Sequence, residues 1–327
     1  MPIVSRQLNN NYPCTYCKQN SSLKQYDTTD MYGDIYAIHT CHNCNAWFLT
    51  PPPTLSQLNQ AYDDSYYGEK EGKFNPLIEK TLDYFRTKRA KLITKHLDAP
   101  AKVLDIGCGN GKFLQYVRQQ GNYQIYGIEI AGKAANRAAT IPTLQLKKGM
   151  LEAHDFDANT FDAITLFHVF EHLTEPMDTL KIIQKILKPG GILVMSFPNI
   201  DSFQSKWFKG NWLHLDPPRH LFFFTPNDFK HEMNNYGFNV IKERYFSTEY
   251  NPFGMQQSLL NTLLKKREVL YEHLKGNNSY TQNYKNWQLT LQNIAFKLSY
   301  PLFVCSDLVE SGLKKGATVE FIMRKEK

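Results

Sequence analysis

The chain has 327 residues, 42% of them hydrophobic and 21% charged, with a formal net charge of +7, an ordinary globular balance that excludes a chain dominated by disorder, low complexity or a fixed-period repeat. No run approaches the roughly 18 apolar residues of a membrane span, and the opening Met1-Pro2-Ile3-Val4-Ser5-Arg6 lacks the order of a secretory leader, so a cytoplasmic address is expected. The cationic excess permits attraction to nucleic acid or an anionic membrane, but Lys and Arg are scattered rather than massed, which disfavours nucleic acid as a partner.

Cys14, Cys17, Cys41 and Cys44 form two CxxC pairs spaced C-x2-C-x23-C-x2-C, while Cys108 and Cys305 stand apart. Each CxxC turn aims two thiolates at one point, so two turns complete a tetrahedral four-sulfur site and predict a structural zinc. A redox dithiol or unpaired thiols form the competing reading, and His39 or His42 in place of one cysteine is another. The β-prone Tyr26 and Ile35-Tyr36-Ala37-Ile38 flank a turn at Tyr32-Gly33-Asp34, which predicts a zinc ribbon over 10–53. A module this small draws folding energy from its ion. Four thiolates leave the ion no open position, so the chemistry is expected downstream.

After Thr50-Pro51-Pro52-Pro53, residues 54–100 are expected to be a linker with helices: a short one over 55–62, the polar stretch Asp63-Asp64-Ser65-Tyr66-Tyr67-Gly68, and a longer one over 76–97 with Pro76 near its start. From residue 101 the pattern changes to strands over 102–106, 124–130, 143–147, 161–167 and 191–197, rotating with helices over 112–120, 134–139 and 178–187. Strict rotation predicts an α/β fold with a parallel sheet covered on both faces, whose ligand lies beyond the carboxyl ends of the strands.

The first of these strands runs into Asp105-Ile106-Gly107-Cys108-Gly109-Asn110-Gly111, whose glycines let a ligand approach the backbone without Cβ interference. Glu129 closes the next strand twenty residues after Gly109, where an acid can accept both ribose hydroxyls. Together they predict an adenosine-bearing cofactor. A dinucleotide site would show G-x-G-x-x-G; here Asn110-Gly111-Lys112 stands instead, and Asp105 suits an ammonium group better than a phosphate.

Through Val103-Leu104-Asp105-Ile106-Gly107-Cys108-Gly109-Asn110-Gly111, Glu129, Phe161-Asp162-Ala163-Ile164 and Leu187-Lys188-Pro189-Gly190-Gly191-Ile192-Leu193-Val194, the chain resembles class I S-adenosylmethionine-dependent methyltransferases. The resemblance implies a Rossmann-like sheet with Asp105, Gly107 and Gly109 along the methionine part of S-adenosylmethionine and Glu129 on its ribose. Cys108, Ile130 and Phe167 join them as expected cofactor contacts. Many relatives place an acid after the third strand to meet adenine; here Gly149 is followed by Met150 and Leu151, which are expected to make apolar contact, with backbone amides, Glu152 or Asp155 as alternative readers.

At the end of the fourth strand stands Phe167-His168-Val169-Phe170-Glu171-His172, formally an H-x-x-E-H. A zinc protease would need it on a long helix, and Pro176 follows too soon. Loop contacts, a general base and a metal site remain as its roles. His220, in Pro218-Arg219-His220-Leu221-Phe222, matches a region where ubiquinone-pathway O-methyltransferases and small-RNA 2'-O-methyltransferases carry a histidine that joins E-x-x-E-H to hold a divalent ion. His168 replaces the first glutamate of that pattern, which weakens magnesium and suits zinc, iron or manganese. His168 and His220 are the expected catalytic residues, and His168, Glu171, His172 and His220 the candidate second metal site.

Thr225-Pro226-Asn227-Asp228 predicts a capped helix to Tyr236, followed by a strand over 238–245 that ends a core spanning 101–246. The last core strand is expected within 317–327. Between them, 247–316 is expected to be a mostly helical lid: a helix over 256–264, a polar 265–285 and an aromatic and aliphatic 287–308, with 294–309 amphipathic enough for a membrane surface but divided by Pro301. With Trp207, Phe208 and Trp212 in 201–215, the lid is expected to roof the site over a bulky acceptor, plain lid packing or a dimer interface being the alternatives. The whole arrangement resembles a bacterial group associated with cell-surface saccharide and secondary-metabolite pathways. It implies O-methylation of a saccharide, lipid-linked or secondary-metabolite small molecule, with C- or N-methylation of a sugar, RNA 2'-O-methylation, and a cofactor-binding docking protein as the other readings. Peripheral contact with the inner membrane face stays open, and the oligomeric state is not legible.

Overall fold

A computed structural model describes residues 12–62 and 76–327, so the tyrosine-rich stretch 63–68 and the first two residues of the expected ribbon lie outside the described residues. At the amino-terminal side β1 (Ser22–Thr29), β2 (Ile35–Cys41) and β3 (Trp47–Thr50) pair antiparallel in sequence order. The β1–β2 turn closes because Asp30 Oδ1 accepts the backbone N–H groups of Tyr32 and Asp34, each at 2.9 Å, an Asx-type turn that replaces ladder bonds with side-chain ones. Helix α1 (Leu55–Ala61) follows, opened by a reciprocal box between Thr54 and Gln57.

Helix α2 (Pro76–Thr94) leads to the main sheet. Its members are β4 (Ala101–Ile106), β5 (Tyr123–Glu129), β6 (Leu144–Lys148), β7 (Phe161–Phe167) and β8 (Leu187–Pro198), joined by α3 (Lys112–Gln119), α4 (Lys133–Ala138) and α5 (Pro176–Ile186). Beyond β8 come α6 (Phe203–Phe208), the two-residue β9 (Phe222–Phe223), α7 (Pro226–Asn235) and β10 (Phe238–Arg244). A helical insertion, α8 (Asn251–Leu263), α9 (Val269–Lys275), α10 (Asn278–Thr281) and α11 (Asn286–Gly312), precedes the last strand, β11 (Thr318–Lys325). The strand order is β10-β11-β8-β7-β4-β5-β6, parallel from β8 to β6, with β11 antiparallel to β8 and β10. This is the Rossmann-like α/β sheet expected, parallel across five strands and made mixed by the antiparallel β11, and its strand order reverses between β4 and β7, the switch point where ligands of such sheets bind beyond the strand ends.

One detail of the expected insertion is corrected. Pro301 does not divide the last helix: α11 runs unbroken through it for 27 residues, because Ser299, Tyr300 and Asp307 pin the helix to its neighbours on both sides of the proline. The polar 265–285 holds α9 and α10. Among the described residues no helix is long and apolar enough to cross a membrane.

The four-cysteine module is welded to the sheet rather than tethered. Strand β3 pairs antiparallel with β9, Trp47 opposite Phe223 and Phe48 opposite Phe222. Tyr16, in the first CxxC turn, packs edge-on against Phe224 at 4.8 Å between centroids and donates its hydroxyl to Glu232 at 2.6 Å. One continuous core therefore runs from Cys14 and Phe48 to Phe170, Phe197, Phe229 and Phe321. Phe229 sits in its middle, fully buried, 4.6 Å from Phe197 and 4.9 Å from Phe321. Replacing Phe229 with Ala removes a whole ring from a packed interior, and urea unfolding of that variant is expected to show a loss of about 3–5 kcal/mol.

Candidate active site

Backbone geometry at the end of β4 comes from the glycines. Gly107, Gly109 and Gly111 all have positive φ, at 73°, 56° and 75°, a region closed to most side chains. A Cβ on Gly107 would stand 2.3 Å from Val169 Cγ2, whereas one on Gly109 would meet nothing within 4 Å. The loop therefore packs tightly on its inner side and opens on its outer side. Cys108 turns inward, its sulfur close to Gly127, so this residue offers the cofactor its backbone.

The two acids stand where the sequence suggests. Glu129, at the end of β5, is buried and accepts the Gly109 N–H at 2.7 Å. Asp105 is buried too and accepts the Thr165 hydroxyl at 2.6 Å. Burial pushes the Asp105 carboxyl up to about 7 and raises that of Glu129, against the opposing hydrogen bonds from Thr165 and Gly109 respectively. Ile130 and Met150 lie exposed along the same edge, with Leu151 half-buried and Phe167 against Phe113 at 5.2 Å. Of the alternative adenine readers, Glu152 and Asp155 are both paired with Lys147.

Beyond β7 the chain turns sharply. His168 has φ 54° and donates its N–H to the Ser196 carbonyl at 2.9 Å, a left-handed conformation that a histidine adopts at a cost and that clusters at functional sites. Its ring lies 4.3 Å from that of Tyr250, which opens α8, and its Nδ1 is 3.5 Å from Glu171 Oε1. Glu171 and His172 sit on one turn of 3-10 helix, Phe170–His172, not on a long helix. The Glu171 side chain is 2% exposed, and neither oxygen has a hydrogen-bond partner among the described residues.

Three of the four residues proposed for a second metal come together. Glu171, His172 and His220 each offer a ligand atom within 4.8 Å of the others, and His168 is not in that group. The two imidazoles are held from behind. His220 Nδ1 donates to the His214 carbonyl at 2.8 Å and His172 Nδ1 to the Arg219 carbonyl at 2.9 Å. A carbonyl only accepts, so both Nδ1 atoms carry the proton and both Nε2 atoms keep a free lone pair, as ligating histidines do. His220 Nε2 points at Glu171 Oε1, 3.9 Å away, and Asp216 Oδ2, 3.7 Å away. Burial holds His172 and His168 down to about 4, and lowers His220 as well. An orphaned carboxylate beside two neutral imidazoles is a donor set that suits a divalent ion.

The four cysteines cluster as expected, Cys14 Sγ 3.7 Å from Cys44 Sγ and Cys17 Sγ 3.6 Å from Cys41 Sγ. A zinc–sulfur bond of about 2.3 Å gives a tetrahedral edge of about 3.8 Å, so these separations suit a zinc ion. His39 is engaged elsewhere, its Nδ1 3.1 Å from Ser22 Oγ.

Sequence reasoning missed three residues here. Arg89 on α2 is paired with Glu249, and its guanidinium lies 5.2 Å from the Phe167 ring and 5.8 Å from the Tyr250 ring. Tyr250 covers His168. His214, half-buried, is held down to about 3 by desolvation. Arg89 and Tyr250 lie far in sequence from every motif, and no local pattern marks them; His214 was readable only as part of the aromatic stretch Trp212-Leu213-His214-Leu215.

Residues 78–243, half of the chain, match a family model described as a methyltransferase domain. A ubiquinone biosynthesis O-methyltransferase of Vibrio cholerae serotype O1 is 28% identical over 145 residues, 41% of this chain and 56% of that one. Another of the same name, from Cereibacter sphaeroides, is 26% identical over 208 residues, 58% of this chain and 83% of that one. The chain thus spans little more than half the length of the first of these relatives. A solved S-adenosylmethionine-dependent methyltransferase from Archaeoglobus fulgidus aligns at 18% identity and a TM-score of 0.45, over 76% of this chain and 98% of that one. With the family match laid over a sheet of this order and a glycine loop of this shape, the chain belongs to the methyltransferase-domain family, among the class I S-adenosylmethionine-dependent enzymes.

Proposed function

We propose that the chain methylates an oxygen of a saccharide, lipid-linked or secondary-metabolite small molecule. The observation that carries this reading is the buried, unpartnered Glu171 carboxylate facing two imidazoles whose other nitrogens are already committed, at the carboxyl end of β7 beside His168. Such a pocket has a use for an oxygen acceptor, whose proton must leave before or as it attacks. The names of the curated relatives, O-methyltransferases of ubiquinone biosynthesis, point to oxygen as well.

In this reading Asp105 meets the ammonium group of S-adenosylmethionine, Glu129 its ribose, and Met150 and Leu151 its adenine. Glu129 would release the Gly109 N–H or share it. Glu171, His172 and His220 would hold a divalent ion, which lowers the pKa of an acceptor hydroxyl. His168 borders a cavity with Arg89, Ser196, Glu249 and Tyr250, and there it would take the acceptor's proton. The acceptor oxygen then bonds to the methyl carbon as the carbon–sulfur bond breaks, the electron pair returning to sulfur and neutralising the sulfonium. Arg89 and Tyr250 close the site over Phe167 and His168 and keep water from competing. The four cysteines would hold a structural zinc with no part in the reaction.

Two measurements test this. Because the cationic cofactor prefers an ionised Asp105, and that carboxyl titrates near 7 when the site is free, uptake followed by calorimetry is expected to weaken roughly tenfold between about pH 7.5 and about pH 6. Asp105→Asn should bind weakly and lose this slope. Metal analysis is expected to find two divalent equivalents in the wild type and one in His220→Ala. Turnover of methyl-labelled cofactor with fractionated small molecules should fall about 10²–10⁴-fold in the same variant. A single equivalent in the wild type, with His220→Ala fully active, would overturn the assignment of the histidine cluster.

A further inference from the structure

The last helix of the insertion is built inside out. Its inward face carries one buried apolar residue, Leu289, and three buried polar ones, Gln292, Asp307 and Glu310, and Asp307 accepts the Ser247 N–H at 3.1 Å and the Asn251 amide at 2.6 Å. Its outward face carries Trp287, Leu291, Ile294, Leu298, Leu302 and Val309, all exposed. With the exposed Cys305 between Leu302 and Val309, these positions recur every three or four residues, so they form one stripe along seven turns. Leu298 is 77% exposed, Leu302 68% and Val309 64%. A surface helix of a chain surrounded only by water carries the opposite pattern.

The stripe widens at its middle. Leu302 and Phe303 line a groove of about 480 Å³ shared with Leu259 on α8 and with Trp207 and Phe208 on α6; Trp207 itself is 76% exposed. The exposed charge on the three helices themselves has one sign. Across α6, α8 and α11 the only carboxylates are Asp307 and Glu310, both buried, so the outward faces of all three helices present none. Lys209, Lys265, Lys285 and Lys297 stand exposed within or beside them.

We propose that this face lies on an anionic lipid surface, with the α11 stripe and Trp207 among the headgroups and outer chain carbons and the lysines on lipid phosphates. Apolar residues with tryptophan at the margin and cations without carboxylates are the chemistry of an interfacial helix. A second copy of the chain fits less well. A helix of this length is about 40 Å long, and its stripe offers about 400 Å², half of what each partner of a standard interface contributes. A two-fold pairing would also set the same lysine rim against itself. No span is implied, since no described helix can cross a membrane.

Flotation of the purified full chain with vesicles tests the proposal. Equimolar phosphatidylglycerol and phosphatidylcholine should carry the chain upward, and phosphatidylcholine alone should not. Leu298→Glu with Val309→Glu places two carboxylates on the stripe and should cut the floated fraction about tenfold, with the unfolding midpoint and the uptake of S-adenosylmethionine unchanged. Failure of the wild type to float with the anionic vesicles overturns the proposal. So does a double variant that floats as the wild type does, or a wild-type dimer that the double variant splits. Loss of methyl transfer in His220→Ala bears on the active site alone, so the two readings fail separately.

Discussion

A single residue, Leu221, ties the site together through its backbone. Its carbonyl accepts the N–H of Leu49 in β3 at 3.0 Å, and its own N–H donates to the Glu171 carbonyl at 2.8 Å. One residue thus joins the four-cysteine module to the turn beyond β7, and the residue before it is His220. Without this bridge Glu171 and His220 would belong to loops 49 positions apart, each free to choose its own conformation. With it, the buried carboxylate and the imidazole face each other across a gap set by backbone hydrogen bonds, the stiffest means a loop has.

That constraint explains why an acid is tolerated in such an interior. An isolated carboxylate away from water costs several kcal/mol, and burial raises the Glu171 carboxyl accordingly, with His220 and His172 opposing. Behind His220 stands Asp216, locked to Arg219 in an ion pair whose Nε–Oδ2 contact is 2.9 Å. The arginine is nearly buried and also donates to the Ala61 carbonyl at 3.1 Å, so the pair braces the loop against α1. Charge is concentrated here by a frame that holds it apart from solvent, and such clusters mark sites more often than they mark stability.

What was legible in the sequence was what is contiguous. A buried strand, three glycines with positive φ and an acid at the next strand's end lie within 30 residues, and their spacing alone carries the chemistry of the loop. Two CxxC turns were legible for the same reason. The histidine cluster was half legible: Glu171 and His172 are neighbours, and His220 entered through resemblance, but His168 looked like a fourth ligand because a motif shows order, not direction. Its left-handed backbone sets the ring against Tyr250, with Nδ1 reaching Glu171 but not the group that Glu171, His172 and His220 form. The docking of the ribbon was not legible, because β9 is two residues long and Leu221-Phe222-Phe223-Phe224 is as apolar as any buried segment. Pro301 misled because a proline costs a helix one hydrogen bond, and the backbone and side-chain groups that hold the helix across it come from residues 247–256.

Helix α8 links the two ends of the molecule's behaviour. Tyr250, immediately before it, lies over His168, and Glu249 pairs with Arg89 beside Phe167, so the start of α8 forms one wall of the active cavity. Further along, Leu259 and Leu263 are exposed beside the groove between α6 and α11. Thirteen residues of helix span about 20 Å, so whatever covers the outer face sits one helix length from His168. The polar inner faces fasten the two helices together: Ser299 donates to Gln256 at 2.9 Å, and Asn251 to Asp307. The helix that carries the outer apolar stripe and the helix that begins just after Tyr250 are thus joined by polar side-chain contacts out of reach of water, which hold one arrangement of the pair.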